Sequence, residues 1–135
     1  MKAENDDDDG GDWAEFCLSQ SIERRIARAI ADESSWDYPT LVQRAAIPVA
    51  MTGRDVLIQA RTGSGKTGCY AIPMLQLILQ RKDRATRQSG DVKTGVSGIV
   101  LAPTRELVAQ ARLQILKLAA YCRDEVSVLG LMGED

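Results

Sequence analysis

With 135 residues, 44% of them hydrophobic and 27% charged, the chain has the size of one small globular domain, and no apolar stretch approaches the ~20 residues that crossing a bilayer demands. The absence of histidine excludes Ser-His catalysis and His-metal ligation within these residues. Three scattered cysteines, at 17, 69 and 122, have no metal-site or redox-motif spacing, argue by their odd count against a disulfide framework, and read as reduced core residues of an intracellular protein.

Net charge is −2, but residues 1–12 hold six of the 19 acids and one of the 17 bases, which leaves the remainder at +3. A mildly basic body is compatible with RNA without establishing it. The start carries no basic-apolar signal peptide. Asn5 to Asp12 is acidic and turn-rich, as expected of a disordered, solvated tail over 1–12.

Ile22, Ile26 and Ile30 recur at four-residue steps and mark an amphipathic helix. Next comes Trp36-Asp37-Tyr38-Pro39-Thr40-Leu41-Val42-Gln43. Pro39 opens a helix expected to reach about Ala50 and to end at Gly53, with Leu41, Val42, Ala45, Ala46 and Val49 as its packed face. Trp36 offers a flat face and Gln43 a two-headed amide, a pair suited to a purine whose N6 and N7 are donor and acceptor. Taken alone, the two read first as a core tryptophan and a solvated glutamine; their place just ahead of the glycine-rich turn is what favours base binding.

A strand is expected over Val56–Ala60, followed by Ala60-Arg61-Thr62-Gly63-Ser64-Gly65-Lys66-Thr67 and an apolar helical run. Strand, glycine-rich turn and helix are the context of a phosphate-binding loop: glycines let several N–H groups face one anion, and the helix adds its positive end. Lys66 is placed to reach the outer phosphates and the Thr67 hydroxyl a magnesium ion. Ala60 stands where the usual pattern has glycine, so the demanding backbone angles must fall on Gly63 and Gly65.

The helix after the loop is expected from about Gly65 to Gln80, kinked by Pro73, with a long polar loop from Arg81 to Gly95. A second strand, Gly98–Ala102, leads to Pro103-Thr104-Arg105-Glu106-Leu107, in which Thr104 reads as an N-cap and Glu106 sits in the first helical turn. The same residues could instead grip a nucleic-acid backbone. Leu107, Ala111, Ile115, Leu118 and Cys122 line one face of the following helix, and Val126–Leu129 makes a short third strand. This alternation argues for an α/β fold with a parallel sheet flanked by helices.

Trp36…Pro39-Thr40…Gln43, then Ala-Arg-Thr-Gly-Ser-Gly-Lys-Thr, then Pro-Thr-Arg-Glu-Leu resembles the opening of a DEAD-box ATP-dependent RNA helicase: its Q motif, motif I and motif Ia. The wording Pro-Thr-Leu-Val-Gln and Tyr-Ala-Ile-Pro-Met-Leu most resembles the nucleolar branch involved in large-ribosomal-subunit assembly. The resemblance implies a RecA-like P-loop domain, of which 13–135 is the N-terminal portion. It implies ATP and Mg2+ as cofactors, RNA gripped by its backbone as partner, pre-ribosomal particles as a setting, and a nuclear or nucleolar location.

Residue by residue, it implies adenine at Trp36, Pro39 and Gln43. Phosphates fall to Ala60, Arg61, Thr62, Gly63, Ser64, Gly65, Lys66 and Thr67, with Thr67 also on magnesium, and RNA falls to Thr104 and Arg105. An upstream aromatic residue is expected, filled by either Trp13 or Phe16.

No Asp-Glu-Ala-Asp occurs in the chain, nor the later Ser-Ala-Thr element or a second domain carrying an arginine finger. The expectation is therefore nucleotide binding by this chain, with hydrolysis and unwinding belonging to an intact parent. A non-catalytic nucleotide-binding module, or another P-loop enzyme such as a kinase, are the alternatives. In a complete RecA-like domain a later strand lies beside the phosphate-loop strand. Without it, the sheet's backbone groups should lack partners and the chain should be only marginally stable.

Overall fold

A computed structural model of the chain describes residues 11–90 and 95–133. The expected acidic tail falls, but for Gly11 and Asp12, outside the described residues, as do 91–94 of the expected polar loop. Five helices follow in order: α1 (Trp13–Ser19), α2 (Arg24–Glu33), α3 (Leu41–Met51), α4 (Lys66–Ser89) and α5 (Arg105–Leu118).

The isoleucine ladder is core: Ile22, Ile26 and Ile30 are all buried. Ile22 lies just before α2, whose N-cap is Glu23. The seven-residue α1 is too short for apolar periodicity to mark it in the sequence. Asp12 caps it by accepting from the Glu15 N–H at 2.9 Å, and it inserts Trp13, Phe16 and Cys17 into the core. Gln76 of α4, itself buried, ties α4 to α2: its Oε1 accepts from the Glu23 N–H at 2.7 Å, and its Nε2 donates to the Ser21 carbonyl at 3.4 Å. The buried face of α4, with Ala71, Ile72, Leu75 and Leu79, joins Ile115 and Leu118 of α5 in the same cluster.

Three expectations need correction. The helix after the glycine-rich loop does not stop at Gln80; α4 continues through the first half of the expected polar loop to Ser89, with Pro73 accommodated inside it. Its last turns hold good helix formers, and Gly90 closes it in the left-handed conformation at φ +69°.

The packed face of α3 is also rotated from the one expected. Gln43, Ala46 and Ile47 are buried, while Leu41 is 71% and Val49 39% exposed. A buried glutamine enters the core-facing side because both heads of its amide find partners.

The third correction concerns the sheet. Among the described residues none is in a strand; 56–60, 98–102 and 126–129 run without ladder structure. A strand exists only where a neighbour takes its N–H and C=O groups, and these segments lack one here. Their side chains nonetheless alternate. Val100, Val126 and Val128 pack against the helical core, whereas Leu57, Ile99, Leu101 and Leu129 point outward at 75% exposure or more.

Candidate nucleotide-binding site

Three elements converge on the glycine-rich loop. Gly63 and Gly65 have φ of +82° and +87°, so the left-handed angles fall on the two glycines as Ala60 requires. Gly65 is also the N-cap of α4, with no side-chain capping bond. The first N–H groups of α4 are thus left without a capping side chain, at the end of the helix that carries positive potential.

Thr40, Gln43 and the loop form one interlocked unit. Thr40 caps α3 by accepting from the Gln43 N–H, and the Gln43 Oε1 returns the bond by accepting from the Thr40 N–H at 2.9 Å. This is a capping box, legible in Thr40-Leu41-Val42-Gln43 as Thr-x-x-Gln. The same two side chains reach across to the loop. Gln43 Nε2 donates to the Gly65 carbonyl at 3.0 Å, and Thr40 Oγ1 donates to the Ser64 carbonyl at 2.8 Å. Gln43 is 1% exposed. Each head of its amide keeps one hydrogen-bonding valence beyond these contacts.

Lys66 is folded back over the loop, its ammonium donating to the Ala60 carbonyl and, at 3.3 Å, to the Arg61 carbonyl. The Ser64 hydroxyl is buried without a partner, although Ser64 lies in the loop itself. Thr67, in the first turn of α4, is half-buried, and Arg61, Thr62 and Gly63 are exposed.

Beside the loop stands an aromatic stack. Trp36 lies against Trp13 with centroids 5.7 Å apart and planes 26° apart, and Phe16 meets Trp13 edge-on at 5.6 Å. Of the two upstream aromatics it is therefore Trp13 that contacts Trp36. Pro39 is buried between Trp36 and the capping box in sequence. The edge of Trp36 also closes on Gly68, where an added Cβ would come within 3.1 Å of the indole and 2.8 Å of Gln43 Nε2. Gly68 has an ordinary φ, so space, not backbone angle, calls for glycine there. Sequence reasoning missed Gly68; the only clue was a glycine one turn inside a helix, where it lowers helix propensity.

The residues expected to touch RNA lie apart from this unit. Thr104 is the N-cap of α5 and accepts from the Leu107 N–H at 3.2 Å. Arg105 donates to the Gly133 carbonyl, and both side chains are exposed.

A profile described as DEAD/DEAH box helicase matches residues 40–135, from the capping threonine to the end of the chain. The chain belongs to that family. Among curated relatives, an ATP-dependent RNA helicase DBP9 of Pyricularia oryzae is 44% identical over 110 residues, 82% of this chain and 16% of its own length. One of the same name from Eremothecium gossypii is 44% identical over 114 residues, 84% of this chain and 18% of its own length. The chain therefore spans less than a fifth of these two relatives. A crystal structure of the RNA helicase Prp28 from Chaetomium thermophilum bound to ADP superposes with a TM-score of 0.58 at 27% identity, covering 89% of this chain and 33% of that one. The helical framework thus follows a helicase domain of this family.

Proposed function

We propose that the protein carrying this chain is an ATP-dependent RNA helicase, and that the chain supplies its nucleotide grip. The observation that carries this reading is the loop geometry: two left-handed glycines, a helix start with no side-chain cap, and a buried Ser64 hydroxyl without a partner. Such a set of donors suits a phosphate chain. Lys66 exchanges its bonds to the Ala60 and Arg61 carbonyls for phosphate oxygens, while Thr62, Gly63, Gly65 and Thr67 supply backbone N–H groups, and Ser64 adds its own by releasing the Arg61 carbonyl.

Trp36, already stacked on Trp13 on one side, presents its remaining surface to the purine; stacking of a base on an aromatic side chain contributes roughly 1–3 kcal/mol. Gln43 reads adenine through the amide valences left over from its bonds to Thr40 and Gly65. Base recognition is thereby joined to the loop that holds the phosphates. Magnesium, when bound, neutralises phosphate charge, and Thr67 is the residue of this chain placed to ligate it.

Residues 1–12 would be an acidic tail and 13–135 part of a RecA-like domain. The alternation of 56–60, 98–102 and 126–129, apolar on both sides, supports their serving as strands of a parallel sheet covered on both faces. Thr104 and Arg105 would touch the RNA backbone. The resemblance to the nucleolar branch makes pre-ribosomal RNA the substrate to test first.

The full-length protein should hydrolyse ATP faster with RNA than without, and Lys66→Ala should abolish that activity. Equal hydrolysis in the absence of RNA would refute the helicase reading. Retained preference for ATP over GTP in Gln43→Ala would remove Gln43 from adenine recognition.

A further inference from the structure

α4 is longer than its packing requires. Cys69, Ala71, Ile72, Leu75, Ile78 and Leu79 bury its first half. From Arg81 onward no described side chain of the helix is buried, yet the helix continues to Ser89 and its glycine cap. At 3.6 residues per turn, Arg81, Arg84 and Arg87 fall within an arc of about 120° on the side opposite Leu75, Ile78 and Leu79. Gln80 and Gln88 share that arc.

All three arginines are exposed. The ion pairs among the described residues are Arg25 with Glu23 and Glu125, and Arg28 with Asp32, so none involves them. Asp83 flanks Arg87 at the edge of the arc without pairing. Lys82 points the other way and donates to the Glu125 carbonyl, anchoring the root of this extension.

We propose that Arg81, Arg84 and Arg87 form a second contact for the RNA backbone, remote from the nucleotide loop. The inference rests on the helicase reading above. Guanidinium forks match phosphate oxygens in pairs, and three of them on a rigid helix rise by about 9 Å along its axis. No aromatic residue lies between Tyr70 and Tyr121, so the stripe has no aromatic face within its own stretch of helix and meets RNA through its guanidinium groups, matched here to the phosphate backbone. Arg87 lies 21 residues from Lys66, about 31 Å along the helix. The stripe therefore lies outside the nucleotide grip and engages RNA that flanks the segment proposed to meet Thr104 and Arg105. An acidic protein segment is the competing occupant; RNA is favoured because the proposed activity already brings it to the same molecule.

The test uses the full-length protein and its R81Q/R84Q/R87Q variant, with a short and a long single-stranded RNA of the same base composition. Each phosphate contact contributes about 0.7 to the slope of log affinity against log salt, so the variant should lose about 2 on the long RNA and nothing on the short one. The R81K/R84K/R87K variant should keep most of the slope, and ATP binding without RNA should be unchanged in both. Identical slopes for wild type and R81Q/R84Q/R87Q on the long RNA would overturn the proposal, as would equal losses on both RNAs. Arginine-dependent binding of poly-glutamate with no change on long RNA would assign the stripe to a protein partner instead. If the wild type binds neither RNA, the helicase reading itself fails and the stripe falls with it.

Discussion

Helices α4 and α5 both begin just after an extended, apolar segment, yet their first turns are built in opposite ways. α5 caps itself: the Thr104 hydroxyl takes the Leu107 N–H, Glu106 adds negative charge, and Arg105 is engaged with the Gly133 carbonyl. α4 begins at a left-handed glycine with no side-chain cap, and its loop is held from behind by Thr40 and Gln43. A self-capped helix start has satisfied its own donors. An uncapped one, fixed by neighbours, keeps them for an anion. The contrast separates a helix start without a capping side chain from one whose own side chains already occupy it.

The largest effect expected from breaking this contrast is at Gly65. Gly65→Ala meets both a left-handed φ and a Cβ placed 2.5 Å from Gln43 Nε2. It should destabilise the protein by roughly 1–3 kcal/mol from backbone strain alone, with further loss from the clash. Denaturant unfolding checks this, and a variant as stable as wild type would show that the loop angles are not required.

Gln43→Ala comes next. It leaves the Thr40 N–H and the Gly65 carbonyl without their partner, a destabilisation of about 1–3 kcal/mol that should appear without any nucleotide. A nucleotide-free melting curve identical to wild type would restrict Gln43 to ligand contact. Gly68→Ala should cost about 1–3 kcal/mol by overpacking Trp36 and Gln43, with an accompanying change in the fluorescence of the chain's two tryptophans, Trp13 and Trp36.

Thr104→Ala should remove about 1 kcal/mol of helix capping and leave ATP affinity untouched. A drop in ATP affinity would couple the two helix starts and undo the comparison.

The smallest effect lies far from both. The Tyr121 hydroxyl donates to Asp32 at 2.7 Å, and the Arg28 guanidinium lies over the Tyr121 ring. That hydrogen bond, with Arg28 second, holds the Asp32 carboxyl below its ordinary range, and raises the Tyr121 phenol. A lowered carboxyl adds stability that is present above its unfolded value near 4 and fades as pH falls through the folded one; a raised phenol adds stability that is present below about 10 and fades as pH rises. Tyr121→Phe should therefore flatten both edges of the stability profile slightly. Unaltered edges would show that this exposed network contributes nothing measurable.

Much of the loop's geometry was legible because backbone angles are set locally. Gly63, Gly65 and Lys66 follow one another in sequence, and each role depends on backbone angle or reach that neighbouring residues set. The positions that escaped sequence reasoning depend on contacts across the chain. Gln43 reads as an adenine contact, but its burial against Gly65 arises only when α3 packs beside α4. The same packing turned Leu41 and Val49 outward, against the face that periodicity suggested. Residues 81–89 of the expected polar loop are helical because Arg, Lys, Ala and Gln are good helix formers.

By itself, the sequence determined the family, the left-handed glycines of the loop over 60–67 and the capped start of α5, because glycine angles and caps act over a few residues. Tertiary structure decided which aromatic stacks on Trp36, why Gly68 has no room for a side chain, and that 56–60, 98–102 and 126–129 stand without ladder partners. Those outcomes depend on groups far apart in the chain, and a hydrogen bond or a close contact between distant residues exists only once packing brings both halves together.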